Sequence, residues 1–254
     1  MARAKPIAHA VIPDCQVKPG VSTEHLSWIG QYLADKRPDV IIQIGDFADM
    51  ASLSSYDRGK RTHALLTYAE DIQAVRRAMK RLLDPIRAAR GYKPRLVLTL
   101  GNHEDRITRA IDEDGRLHGT LSLNDLGYKE AGWEVHPFLE VVVIDGVAYS
   151  HYFTSGVMGR PVSSARALVR SRHMSATMGH VQKTDLDMGD VRADGKPIIG
   201  LFCGTCYLHD EPYLGAQGNS MRRQIVMCHE VTDGSYDPMF VSLDFLRRKY
   251  GKAA

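Results

Sequence analysis

Five short polar clusters stand along the chain, each at the end of an apolar run: Asp14-Cys15-Gln16, Gly45-Asp46, Gly101-Asn102-His103-Glu104, His151 and Gly179-His180-Val181-Gln182. A carboxylate able to bridge two cations, an amide oxygen and several imidazoles make a mixed oxygen and nitrogen ligand set. One further histidine is left to move a proton. Together these residue types suit hydrolysis of a phosphate ester at a pair of divalent cations. Taken singly, each has a plainer role as a turn, cap or core residue. The ordered series is what points to chemistry.

The elements that must hold these residues are legible in the apolar periodicity. Ile7 to Pro13 reads as a strand delivering Asp14, and Asp39 to Ile44 as a second delivering Gly45-Asp46. Between them, Leu26, Ile29 and Leu33 repeat at helical spacing within Thr23 to Lys36, with Ser22 or Thr23 to cap the helix and Pro38 to close it. Tyr68, Ile72, Val75, Met79, Leu82 and Ile86 form one face of a long helix over Ala64 to Ala89, bent near Pro85. Leu96 to Leu100 is a third strand. This alternation is the βαβ pattern of parallel strands, whose carboxyl ends gather polar function.

The later half is richer in strands. Val141 to Ile144 and Val147 to Ser150 flank Asp145-Gly146, a two-residue hairpin turn, and His151 follows the second of them. Ser163 to Arg172 reads as a short helix, and Ala176 to Met178 as a brief strand carrying Gly179-His180. Pro197 to Cys203, Gln224 to Val231 and Met239 to Phe245 read as further strands, with turns at Asp194-Gly195 and Asp233-Gly234. The expectation is one α/β domain over residues 1–254, with two sheets and helices outside, the second sheet mostly antiparallel. The basic segment Arg247 to Lys252 reads as a frayed end.

Composition narrows the class. A chain of 254 residues that is 44% hydrophobic and 25% charged can bury one large core. No apolar run approaches the roughly 18 residues of a membrane span, and Met1 to Pro6 is basic without an apolar stretch behind it, so a cytoplasmic protein without membrane contact is expected. Of Cys15, Cys203, Cys206 and Cys228, only Cys203 and Cys206 have suggestive spacing. They lack the context of a redox or zinc motif and are read as small buried residues at a strand end.

The clusters resemble the calcineurin-like metallophosphoesterase family, whose pattern is Asp-x-His, Gly-Asp, Gly-Asn-His-Asp/Glu, a lone His and Gly-His-x-His. The resemblance spans Asp14 to Gln182 and implies a two-sheet αββα sandwich of that family's type, with mixed sheets. It further implies a metal-dependent phosphoesterase in which a metal-bound water attacks phosphorus. Asp46 would bridge two divalent cations, one of them completed by Asn102, His151 and His180. The other would take Asp14 and Asp46, with Gln16 and Gln182 standing where the family has histidines. Both departures strike the same cation. Neutral oxygen in place of nitrogen favours harder ions, so manganese or magnesium is expected before iron or zinc, with the first site weak or empty. His103 is the implied proton donor to the leaving group and Asp49, three residues after Asp46, its partner carboxylate.

The substrate is less constrained. The family's phosphoprotein phosphatases follow Gly-Asp-x-x-Asp with a phosphate-clamping arginine, where this chain has Met50; Arg106 and Arg160 are the alternative phosphate contacts. Residues 58–95 hold eleven Lys/Arg against Glu70, Asp71 and Asp84, a net +8 within a chain of +3. Arg76, Arg77, Lys80 and Arg81 on one helix, with Arg166, Arg170 and Arg172 on another, could form a polyanion track, so nucleic acid is a candidate partner. A phosphodiesterase or nuclease acting on nucleic acid or nucleotides is the leading expectation. A phosphomonoesterase of small substrates and a non-catalytic binding module with the same fold are the alternatives.

Overall fold

Alternate residues of β1 (Ile7–Ile12) face two different cores: Ala10 and Ile12 pack among helices, whereas Val11 packs toward a second sheet. That alternation sets the architecture, because a strand covered on both faces must be apolar on both. The computed structural model describes residues 7–55, 65–211 and 214–251. After β1 come α1 (Glu24–Lys36), β2 (Val40–Gln43), α2 (Tyr68–Ala88), β3 (Arg95–Thr99), α3 (Arg106–Glu113) and β4 (Glu134–His136). The chain continues through β5 (Val142–Ile144), β6 (Val147–Tyr149), a ribbon of β7 (Thr154–Ser155) and β8 (Arg160–Pro161), α4 (Ala165–Arg172) and β9 (Ala176–Met178). It ends with β10 (Thr184–Val191), β11 (Pro197–Cys203), the single turn α5 (Gly215–Gly218), β12 (Gln224–Thr232), β13 (Ser235–Ser242) and α6 (Leu243–Tyr250).

Six strands form the first sheet in the order β13-β12-β1-β2-β3-β4, and five form the second in the order β10-β11-β9-β6-β5. β1 to β4 run parallel, with β12 and β13 antiparallel beside them. In the second sheet β11, β9 and β6 are parallel and the two edge strands are antiparallel. Val11, Ile42, Val97 and Val226 of the first sheet meet Val147, Tyr149, Ile199 and Leu201 of the second in one inter-sheet core. The opposite face of the first sheet is covered by α1, α2 and α6, and that of the second by Ala165 and Leu168 of α4. The result is the expected α/β two-sheet sandwich with helices on both outer faces.

α1 and α2 approach closely where a Cβ on Gly30 would stand 2.3 Å from the Leu82 carbonyl oxygen and 3.1 Å from Pro85 Cγ. Pro85 lacks the amide that would have bonded within its own helix, and the glycine lets α1 sit against that turn. Thr67 caps α2, its hydroxyl accepting from the Glu70 amide. Arg58, Lys60 and Arg61 of the expected basic segment, and Ala64 at the expected start of the long helix, lie outside the described residues; the helix itself begins at Tyr68.

Four expectations are corrected. The late strands do not all build the second sheet: β12 and β13 complete the first, and the second is mixed rather than mostly antiparallel. Met239 to Phe245 is not one strand, since β13 ends at Ser242, whose hydroxyl accepts from the Phe245 amide and starts α6. Arg247 to Tyr250 is accordingly helix and not a frayed end: Leu246 is fully buried, and the Tyr250 hydroxyl donates to Asp35 Oδ2 at 2.6 Å. Thr23 does not cap α1 with its side chain, which instead accepts from Arg81; Ser22 Oγ accepts from the Glu24 amide. No helix among the described residues is long and apolar enough to cross a membrane.

Candidate metal centre

The loops leaving β1, β2, β3, β6 and β9 meet at one end of the sandwich and bring most of the expected residues together. Three glycines make that convergence sterically possible. A Cβ on Gly45, which has φ of 93°, would stand 2.5 Å from His151 Nδ1; one on Gly101 would stand 2.1 Å from Asp46 Oδ1, and one on Gly179 2.6 Å from Asp14 Oδ1. Three of the five loops thus begin with a glycine whose missing side chain leaves space for a polar side chain from another loop. Gln16, Asp46, His180 and Gln182 have φ of 42°, 52°, 63° and 61°. Left-handed backbone costs a non-glycine residue about 1–2 kcal/mol, and four of the eleven such residues among those described lie at this site.

Four donor atoms converge at the centre. Asn102 Oδ1 lies 3.0 Å from His151 Nε2 and 2.8 Å from His180 Nδ1, and His151 Nε2 lies 3.3 Å from Asp46 Oδ2. Asp46, His151 and His180 meet the spacing of a shared cation. Two ligands each about 2.1 Å from an ion and about 90–110° apart sit about 3.0–3.4 Å from one another, so these separations are close to the edges of a coordination polyhedron. The other nitrogen of His151, Nδ1, is 2.9 Å from the Ile44 carbonyl. With Nδ1 donating there, Nε2 faces two oxygens either as the second N–H of an imidazolium or, once deprotonated, as a lone pair that would repel them unless a cation sat among them.

The neighbouring half is built from oxygen. Asp14 and Gln16 are fully buried. Asp14 Oδ1 accepts from the His180 amide at 3.0 Å, while Asp14 Oδ2 and both polar atoms of the Gln16 amide have no hydrogen-bond partner among the described residues. Each such atom costs about 1–3 kcal/mol, so Asp14 Oδ2 and Gln16 Oε1 fit a hard cation that would repay part of that cost. Gln182 Oε1 accepts from the Tyr207 hydroxyl at 3.0 Å. That commitment draws Gln182 toward Tyr207 and makes it the least available of the expected oxygen ligands.

His103 and Asp49 come together as expected, with His103 Nδ1 2.8 Å from Asp49 Oδ1 and His103 Nε2 3.7 Å from Asp46 Oδ2. Burial works against charge on His103, but Asp46 and Asp49 outweigh it and raise its pKa. Burial likewise would raise the Asp49 and Asp46 carboxyls; the facing imidazoles, with Lys18 and Arg106 beside Asp49, hold both well below the usual carboxylate range. His151, buried but facing Asp46, is raised to about 9. Asp14 is pushed up to about 7 by burial and by Asp46, and His180 down to about 4 by burial and by His151.

Glu104 gathers the loops rather than serving as a ligand. Its carboxylate accepts from the amides of Asp46, Ala48 and Gly101 and from the Tyr128 hydroxyl, locking the turns after β2 and β3 to each other. Arg106 reaches the site at the start of α3, but its Nη1 is committed to Asp49, 2.8 Å from the backbone oxygen and 3.0 Å from Oδ1. Arg160 lies exposed on the β7–β8 ribbon and makes no hydrogen bond or ion pair with the centre. On α2, Arg76 bonds the Asp125 carbonyl and Glu130, and Lys80 pairs with Asp84; on α4, Arg166 pairs with Asp187.

Several participants left no signal in the sequence. Lys18 pairs with Asp49 and Glu211, Tyr207 holds Gln182, and the Tyr152 ring lies 4.6 Å from the His180 ring. Arg109 donates to the Asn102 carbonyl and, with Arg106, Ser52, Ser54 and Ser55, lines a cleft of about 370 Å³. Only Arg109, one turn after the Gly-Asn-His-Glu cluster, could have been found by helical spacing. Lys18 and Tyr152 belong to the loops that carry Asp14 and His151, but only the fold brings them onto Asp49 and His180; Tyr207 and Glu211 arrive from the distant loop after β11. Compared with known proteins, the chain matches no family model and no curated protein.

Proposed function

We propose that this chain is a metal-dependent phosphoesterase of the calcineurin-like kind, acting on phosphodiesters of nucleic acid or nucleotides. The convergence of Asp46, Asn102, His151 and His180, linked in a chain of 2.8–3.3 Å contacts through Asn102 and His151, with the Asp46, His151 and His180 ligand atoms all within 4.8 Å of one another, carries the reading. Asp46, Asn102, His151 and His180 would hold one divalent cation, and Asp14, Asp46 and Gln16 a second, harder-ion site. Cations there would supply a nucleophilic water at neutral pH and neutralise charge on the phosphoryl group. Manganese or magnesium suits the oxygen-rich half best.

The protein's own part is positional. His103, tied through Nδ1 to Asp49, presents Nε2 toward the mouth as the proton donor to the departing oxygen. The half-buried Asn102, His180 and Gln182 form the rim, over a floor of fully buried Asp14, Gln16 and His151. Lys18 and Arg106, the cationic side chains against Asp49, are engaged by Asp49 and Glu211. A singly charged diester therefore suits the mouth better than a dianionic monoester, which would need a further cationic clamp. A reducing, cytoplasmic setting belongs to the same proposal and agrees with four buried free thiols.

The test is a manganese-supplemented assay on a bis-aryl phosphodiester, an aryl phosphomonoester, and single- and double-stranded DNA. The diester is expected to be cleaved faster than the monoester, and His103→Ala to lower turnover by about 10²–10⁴-fold with metal content unchanged. An intact, metal-loaded protein that cleaves none of these would instead be a binding module. Loss of metal in His103→Ala would mean that its role is ligation.

A further inference from the structure

We propose that Lys18 and Glu211 are positioning residues for the proton donor, acting on His103 through Asp49. The inference rests on the phosphoesterase reading above. Lys18 leaves the loop after β1, and its Nζ lies 2.9 Å from Asp49 Oδ2 and 2.6 Å from Glu211 Oε1. The side chains are 19% exposed for Lys18, 9% for Asp49 and 3% for Glu211, so this is a largely buried bridge and not a solvated surface pair. The other oxygen of Asp49, Oδ1, holds His103 Nδ1 at 2.8 Å and Arg106 Nη1 at 3.0 Å.

Lys18 and Arg106 thus match Asp49 and Glu211 charge for charge, while Asp46 faces His103 from its Nε2 side. A carboxylate turns easily about its last torsion. Contacts to both oxygens from three directions remove that freedom, so the Asp49 plane, and with it the His103 ring, has one orientation. Lys18 is itself held from behind. Glu211 Oε1 also takes His209 Nε2 at 2.7 Å, and the Glu211 backbone is clamped by Asn219, whose Oδ1 accepts from the Glu211 amide while its Nδ2 donates to the Glu211 carbonyl. The His209 ring stacks on Tyr207 at 4.6 Å, and Tyr207 reaches Gln182. The loop after β11 is in this way tied to the proton donor of a site otherwise built from other strands.

Neither residue touches a reacting atom, so the effect must appear in how well His103 delivers its proton. Proton donation matters in proportion to the basicity of the departing oxygen. Loss of positioning should therefore slow esters of phenol far more than esters of para-nitrophenol, which leave without help. A purely structural role would slow both alike.

The experiment compares methyl phenyl phosphate with methyl para-nitrophenyl phosphate, with manganese, in wild type, Lys18→Met and Lys18→Arg. In Lys18→Met, kcat on the phenyl ester should fall about tenfold more than on the nitrophenyl ester, with KM and bound manganese unchanged and with partial recovery in Lys18→Arg. Glu211→Gln should show the same selectivity in weaker form, and it decides the matter if Lys18→Met does not fold. Equal losses on both esters, or no loss on either, would overturn the role of Lys18 and Glu211 while leaving the phosphoesterase reading standing. A metal-loaded wild type inert toward both esters would remove that reading and this inference together.

Discussion

At the scale of single residues, glycines and left-handed backbone shape the candidate centre as much as its polar side chains do. Gly101 is the sharpest case, because an added Cβ would stand 2.1 Å from Asp46 Oδ1 and 2.4 Å from the Asp46 amide, and the latter cannot rotate away. Asp46 Oδ1 is also the acceptor of the His103 amide at 2.9 Å. Gly101→Ala should cost about 1–3 kcal/mol by overpacking and weaken manganese binding, measured by denaturant unfolding and calorimetric titration. Unchanged affinity would show that Asp46 is not a ligand. The residue types and their order were legible in the sequence: Asp14, Asp46, Asn102, His103, His151 and His180 all arrive at the same end of the fold. Left-handed φ at Gln16, Asp46, His180 and Gln182 was not legible, because nothing in a short polar stretch distinguishes a strained turn from an ordinary one.

At the scale of elements, strong periodicity found α1, α2 and β1 to β3, and the Asp145-Gly146 hairpin formed with φ of 48° and 82° at its two turn residues. Weak or divided patterns were lost. β10 alternates Leu186 and Met188 with aspartates, but those side chains stay partly exposed, so the apolar signal is short and diluted. β4 is three residues long at a sheet edge. The run from Met239 to Phe245 is mostly apolar across a strand end and a helix start, broken only by the Ser242 cap and by Asp244 in the first turn of the helix. α6 then lies on α1, with Phe245 and Tyr250 edge-on to Tyr32, each at 6.4 Å. Leu246→Ala is expected to destabilise the protein by about 2–5 kcal/mol, read from chemical denaturation. A change below 0.5 kcal/mol, the usual limit for a surface substitution, would mean that this helix is not docked.

At the scale of the whole molecule, protons would compete with any divalent cation for one buried cluster. His151, raised to about 9 from an ordinary value near 6.5, binds its proton more tightly when folded. In the metal-free protein that stabilisation is complete below pH 6.5 and is lost as pH rises through 9. Asp14, raised to about 7, loses its contribution in the same direction. His180, lowered to about 4, acts oppositely but only below pH 6.5, and so does not enter this window. On the proposed reading, manganese would have to displace the His151 and Asp14 protons. Its affinity, and the rise in Tm it confers, should therefore grow from pH 6.5 to pH 9, with proton release measurable by titration in buffers of different ionisation enthalpy. A gain in Tm that is flat with pH would break the link between this cluster and metal. The sequence by itself determined the two-sheet sandwich class, the strands that end in polar clusters and the residue types of the centre, because periodicity and motif spacing are local properties of the chain. Tertiary structure alone decided that β12 and β13 complete the first sheet, that Arg106 serves Asp49, and that Lys18, Glu211 and Tyr207 join the site. Those facts depend on which distant loops share one end of the sandwich, and contact across many residues leaves no local trace.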